Sequence, residues 1–183
     1  VWGFKVHELV VREGFGVIRK LKKYGNVFVD LKLHDIPHTV ELEVKTLVAY
    51  GADIITVHAS GGKEMLRAAV DAGGDKIAAV TVLTSLPPAE ARKVPHLASL
   101  ARSAGISTIV CSPREVGALR KLWKTARFIT PGIRGPQDKK TDHKRTSTPE
   151  EALKRGATLL VIGRPITKAP DVGQALQELF SKN

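Results

Sequence analysis

Asp30, Lys32 and Asp35 fall within and just beyond an apolar run in VFVDLKLHDIP, residues 27–37. Three ionisable groups in a segment that otherwise reads as a buried strand call for a physical reason. Closely spaced charges of alternating sign hold one another ionised, and a lysine kept as an ammonium beside carboxylates is a competent proton donor. Lys5, in WGFKV, brings a second ammonium in a short strand-like segment of its own. Side chains alternate along a strand, so Asp30 and Lys32 share a face with Phe28, while Val27, Val29, Leu31 and Leu33 share the other. By the same alternation Trp2, Phe4 and Val6 form the outward set of the first segment and Lys5 points inward. Two lysines and two aspartates can then meet in one pocket. A charge-balanced network that fixes a core is the other use of such a set, because structural ion pairs also occupy interiors.

The elements that must position these residues follow from the hydrophobic pattern. Short β-branched runs alternate with longer amphipathic stretches, each closed by Gly, Pro or polar residues, which is a βα repeat. Strands are predicted over 2–6, 27–33, 54–58, 77–83, 108–111, 128–130 and 159–162. Helices are predicted over 8–23, 38–50, 62–72, 94–104, 113–123, 149–155 and 172–181. Repeated βα units imply a parallel sheet, either doubly wound and open or closed into a barrel. Polar residues follow many strands in turn: Lys5, Asp30 with Lys32, His58, Thr84, Ser112, Gly132-Ile133-Arg134 and Gly163-Arg164. Chemistry spread over the C-terminal ends of many strands favours an α/β chain of the TIM (β/α)8 barrel class over a single switch-point crevice. Four charges at that end of a barrel favour catalysis over a purely structural network. No linker divides the sequence, and one domain over 1–183 with seven βα units is expected. The segment 131–148, PGIRGPQDKKTDHKRTST, is too long and polar for a routine connection.

Composition limits the remaining readings. The 183 residues are 43% hydrophobic and 26% charged, an ordinary globular balance with material for a substantial core. No apolar run approaches the ~18 residues of a membrane span, and a single cysteine, Cys111, excludes an internal disulfide and fits a reducing cytoplasm. The net charge of +11 favours anionic partners. Aromatics are only 5%, too few for the stacking platforms of a single-strand binder, which argues against nucleic acid as the main partner.

In this order along the chain, FKVHEL, DLKLHDIPHT, VHASGG, AVTVLTS, TPGIR and VIGRPIT resemble the orotidine 5'-monophosphate decarboxylase family. The resemblance covers essentially the whole chain. It implies decarboxylation of orotidine 5'-monophosphate to uridine 5'-monophosphate in pyrimidine biosynthesis, without metal or cofactor. The family's charged tetrad maps onto Lys5, Asp30, Lys32 and Asp35, with Lys32 protonating C6 of the pyrimidine and Asp30 near the departing carboxylate. The resemblance further implies a homodimer with shared active sites, in which Asp35, Ile36 and Thr39 serve the partner's pocket. Thr84 maps onto a substrate-binding threonine. If 128–130 and 159–162 are the seventh and eighth barrel strands, their loops occupy the usual phosphate site, with Gly163, Arg164 and Arg134 as binding residues. His58 is assigned structural duty, and His34 and His38 are loop residues without metal-ligand spacing.

Two departures stand out. DHKR puts His143 where the family has a glutamine that closes over base and phosphate. The family also begins with a strand carrying a ribose-binding aspartate, followed by a helix, and nothing precedes Val1. The expectation is therefore a barrel lacking its first βα unit, with two unpaired strand edges, poorly soluble or inactive by itself. A magnesium-dependent hexulose-phosphate synthase-like aldolase shares the Asp-x-Lys-x-x-Asp strand and is the nearest alternative. A non-catalytic nucleotide or RNA binder is the second.

Overall fold

The computed structural model describes residues 1–134 and 146–180. In chain order the first elements are β1 (Gly3–Val6), α1 (Glu8–Glu13), α2 (Gly16–Lys22), β2 (Asn26–Leu33), α3 (Pro37–Ala49), β3 (Ile54–His58), α4 (Gly62–Gly73) and β4 (Ile77–Val80). They continue with α5 (Val94–Ser103), β5 (Thr108–Val110), α6 (Pro113–Leu122), β6 (Arg127–Thr130), α7 (Pro149–Lys154), β7 (Leu159–Leu160), α8 (Arg164–Thr167) and α9 (Val172–Phe180). Strand order in the sheet follows chain order, as successive right-handed βα units produce. The predicted strands are all present, although those predicted to reach Leu83 and Ile162 end at Val80 and Leu160. The single helix predicted over 8–23 is two. Gly14, at φ +74°, takes a backbone conformation that side-chain-bearing residues avoid, and its N–H bonds the Val10 carbonyl to close α1.

Two compact units make up the chain, Val1–Thr81 with His96–Ile109, and Val82–Pro95 with Val110–Asn183. In the first, β1, β2, β3 and β4 pair in parallel, with Lys5 opposite Phe28, Val29 opposite Ile55 and Val57 opposite Ala79. Parallel strands under helices are buried on both faces, and Ile54, Ile55, Thr56 and Val57 are all so. Val40, Val44 and Leu47 of α3 and Met65, Leu66 and Ala69 of α4 bury the helix faces of a closely packed pair. Each fully buried Val, Leu or Ile of this layer contributes roughly 1.5–3 kcal/mol by leaving water.

In the second unit the helix starts are written locally. Ser112 accepts from the Arg114 N–H while Glu115 accepts from the Ser112 N–H, with Pro113 in the first turn; Thr148, Pro149 and Glu151 repeat the arrangement for α7. β6 and β7 pair in parallel, and Ile133, Ala152 and Ala157 form a core with Leu160 and Ile162 against it. Arg120 ties this unit internally. Its guanidinium donates to the carbonyls of Lys124, Ala126 and Gly156 at 2.6, 2.8 and 2.7 Å and lies 4.6 Å over the Phe128 ring.

Candidate active site

Within the first unit, pairing of β1 with β2 sets Lys5 opposite Phe28. Asp30 lies two residues further along the same face, within reach of the Lys5 stem, and Lys5 Nζ donates to Asp30 Oδ2 at 2.9 Å. Lys32 Nζ lies 3.0 Å from the other oxygen, Oδ1. The two ammonium groups thus take one carboxylate oxygen each. The Asp30 side chain is 10% exposed, against 33% for Lys5 and 29% for Lys32, so the carboxylate is the buried member and the lysines reach toward solvent. Burial pushes the Asp30 carboxyl upward, the largest single influence on it. The charges and hydrogen bonds of Lys5 and Lys32 together outweigh burial, and its pKa lies below the ordinary aspartate value. Asp30 is therefore ionised at neutral pH between two cations.

Strand alternation alone does not describe this site. Lys32 has φ +55°, the one non-glycine residue in the left-handed region among the described residues. The register passes from Val29 opposite Ile55 to Leu33 opposite Val57, so Asp30, Leu31 and Lys32 together face only Thr56. This is a bulge, which bends a strand locally and re-aims its side chains, often beside active sites. The Lys32 N–H donates at 2.9 Å to the Thr56 hydroxyl, which itself donates to Asp30 Oδ1 at 3.1 Å. Sequence reasoning missed Thr56. Its only signal was a hydroxyl amid the Ile and Val residues of β3.

The histidines have defined surroundings. His7 Nδ1 is 2.8 Å from the Asp30 carbonyl oxygen, a contact the sequence did not suggest. His58, at the end of β3, lies beside His34 with ring centroids 5.4 Å apart. Burial, then the neighbouring His34 and Lys32, lower the His58 pKa, and Asp30 only partly opposes them. The ring is neutral at pH 7.

Asp35 does not join the charged set within this chain. Its carboxylate is exposed and accepts from the Ile36 N–H at 2.7 Å, and among the described residues it makes no ion pair. Pro37 opens α3 and favours the extended backbone of Ile36 (ψ 152°), which is 65% exposed. Thr39 is half-buried in the first turn of α3. Among the described residues Lys5, Asp30 and Lys32 cluster with Thr56, and Asp35, expected from the resemblance to serve a partner's pocket, makes no ion pair with them.

The other predicted site residues belong to the second unit. Thr84 is buried in the turn after Val82. Arg134 is buried too, and its guanidinium donates to the Ile133 carbonyl at 2.8 Å. Gly163 is the exposed residue before α8, and a Cβ added there would meet no atom within 4 Å. Arg164 is the half-buried first residue of α8, a helix of only four residues. His143 lies outside the described residues.

The model of the orotidine 5'-phosphate decarboxylase / HUMPS family matches residues 3–179. An orotidine 5'-phosphate decarboxylase of Erythrobacter litoralis is 45% identical over 165 residues, covering 84% of this chain and 74% of its own length. Its counterpart in Thermobifida fusca is 45% identical over 189 residues, 96% of this chain and 81% of that one. The crystal structure of orotidine 5'-phosphate decarboxylase from Lactobacillus acidophilus superposes with a TM-score of 0.80 at 33% identity, over 96% of this chain and 84% of that one.

Proposed function

The chain belongs to the orotidine 5'-phosphate decarboxylase / HUMPS family, and from that membership we propose that it decarboxylates orotidine 5'-monophosphate to uridine 5'-monophosphate. The observation that carries this reading is the buried, ionised Asp30 carboxylate clamped between the Lys5 and Lys32 ammonium groups. In the proposed reaction the C6–carboxylate bond breaks, carbon dioxide leaves, and the electron pair stays on C6. Lys32 delivers its proton to that carbon and is reprotonated from solvent afterwards. Asp30 keeps Lys32 charged and aimed, and it lies beside the departing carboxylate. Lys5 holds the second oxygen of Asp30 and limits the rotation of the carboxylate. Fixed charges of this kind act by preorganisation, because they need no rearrangement as charge develops on the substrate.

The anionic substrate suits a chain of net charge +11. Arg134, Gly163 and Arg164 are proposed for its phosphate, Thr84 for the pyrimidine, and His143 for the place of the family's glutamine. The chain's partner in assembly is proposed to be a second copy of itself. Asp35 makes no ion pair among the described residues, and Ile36 and Leu42 are large apolar residues 65% and 51% exposed, which fits Asp35, Ile36 and Thr39 serving a neighbouring subunit in a homodimer. No described helix is long and apolar enough to cross a membrane, and a cytoplasmic enzyme is proposed.

The test follows the ultraviolet loss of orotidine 5'-monophosphate with the intact protein and with Lys32→Ala, without added metal. Turnover by the first and at least a thousandfold less by the second supports the assignment; equal silence of both, well folded and dimeric, defeats it. A rate that chelator abolishes and magnesium restores favours the aldolase relatives instead.

A further inference from the structure

Thr56 has no exposed surface, and its one hydroxyl touches both halves of the proton-delivery pair. The hydroxyl oxygen accepts from the Lys32 N–H at 2.9 Å, and its proton goes to Asp30 Oδ1 at 3.1 Å. An ionised carboxylate only accepts, and an N–H only donates, so the direction of both bonds is settled without ambiguity. The oxygen that Thr56 holds is the one 3.0 Å from Lys32 Nζ, while Lys5 holds the other.

The bulge explains why a hydroxyl is needed. Three residues of β2 stand opposite one of β3, so Lys32, at φ +55°, cannot place its N–H in the regular ladder. A buried N–H without a partner is strongly disfavoured. Valine, of nearly the same shape, would complete the apolar strand Ile54-Ile55-Val57 but would leave both the N–H and Asp30 Oδ1 without this partner. We propose that Thr56 is a positioning residue for the proton donor, setting the Lys32 backbone and the rotation of the Asp30 carboxylate through one buried hydroxyl. Thr56 does not touch the reacting atoms. The proposal rests on the decarboxylase reading and adds a group to it.

Steady-state kinetics of the intact protein, Thr56→Val, Thr56→Ser and Lys32→Ala on orotidine 5'-monophosphate test it. Outer residues that orient reacting groups typically change activity about 10- to 100-fold. Thr56→Val is expected to lower kcat by that factor with KM changed less than about threefold, the range such an orienting loss leaves to binding. Thr56→Ser, which keeps the hydroxyl, is expected to recover most of the lost rate. Loss of a donor to Asp30 favours its protonated form, so the acid limb of the kcat profile moves to higher pH in the valine variant and not in the serine variant. If the valine protein does not fold, Thr56→Cys, with a weak donor of similar size, is read against Thr56→Ser in the same way. A valine or cysteine variant with the kcat and pH profile of the serine variant overturns the positioning role while turnover by the parent protein still upholds the decarboxylase. Absence of turnover in a folded parent protein overturns both.

Discussion

Replacing Lys32 by glycine and by alanine separates the backbone of the site from its chemistry. Both variants lose the ammonium and leave Asp30 with Lys5 and Thr56, so that loss cancels in the comparison. Both keep the N–H that donates to Thr56. What differs is a Cβ at φ +55°. A left-handed conformation disfavours a residue with a Cβ by roughly 1–2 kcal/mol. Glycine returns part of that, because its greater freedom in the unfolded chain is a disadvantage of about 0.4–1 kcal/mol. The net expectation is that Lys32→Gly is more stable than Lys32→Ala by about 0.5–1 kcal/mol, or roughly 1–4 °C in Tm for a chain of this size. At an ordinary strand position the order is reversed, with alanine ahead by roughly 0.5–1 kcal/mol. Urea unfolding followed by circular dichroism, with equal slopes for the two variants, measures the difference. Alanine equal to or more stable than glycine would refute the strained geometry and with it the bulge as the device that aims Lys32.

Two further expectations concern other parts of the molecule. Arg120→Met leaves the carbonyls of Lys124, Ala126 and Gly156 without their shared donor; hydrogen bonds to a charged group and a cation over a ring suggest a loss of about 2–3 kcal/mol, measured by chemical unfolding, and a loss under about 1 kcal/mol would show the interaction to be ornamental. His58 has a folded pKa lowered by burial, His34 and Lys32, so the unfolded chain binds the extra proton first. Its contribution is fully present above the unfolded value of about 6.5 and is lost as pH falls from there through the lower folded value. His58→Phe is accordingly expected to flatten the dependence of unfolding free energy on pH below about 6.5, and an unchanged slope would show that His58 titrates freely.

The family matched residues 3–179, in agreement with the ordered motifs quoted from the sequence. Strands and helices were legible because their signals are local: β-branched runs, amphipathic stretches and the Gly, Pro or polar residues that close them. Lys5, Asp30 and Lys32 were legible for a similar reason, since charge inside an apolar strand has few uses. The break between α1 and α2 was missed because glycine inside a helical pattern is often tolerated, and only its φ of +74° shows that Gly14 ends the helix.

The sequence by itself determined which segments become strands, and it placed an alternating charge motif at the end of β2. Only the tertiary structure decided how those charges meet. The bulge depends on the register of β2 against β3, a property of two segments 24 or more residues apart and of neither alone. It draws Lys32 out of regular alternation and makes Thr56 the partner of both Lys32 and Asp30. Local periodicity carries no information about such a register shift, because it sets the faces of each strand and not which residues stand opposite one another.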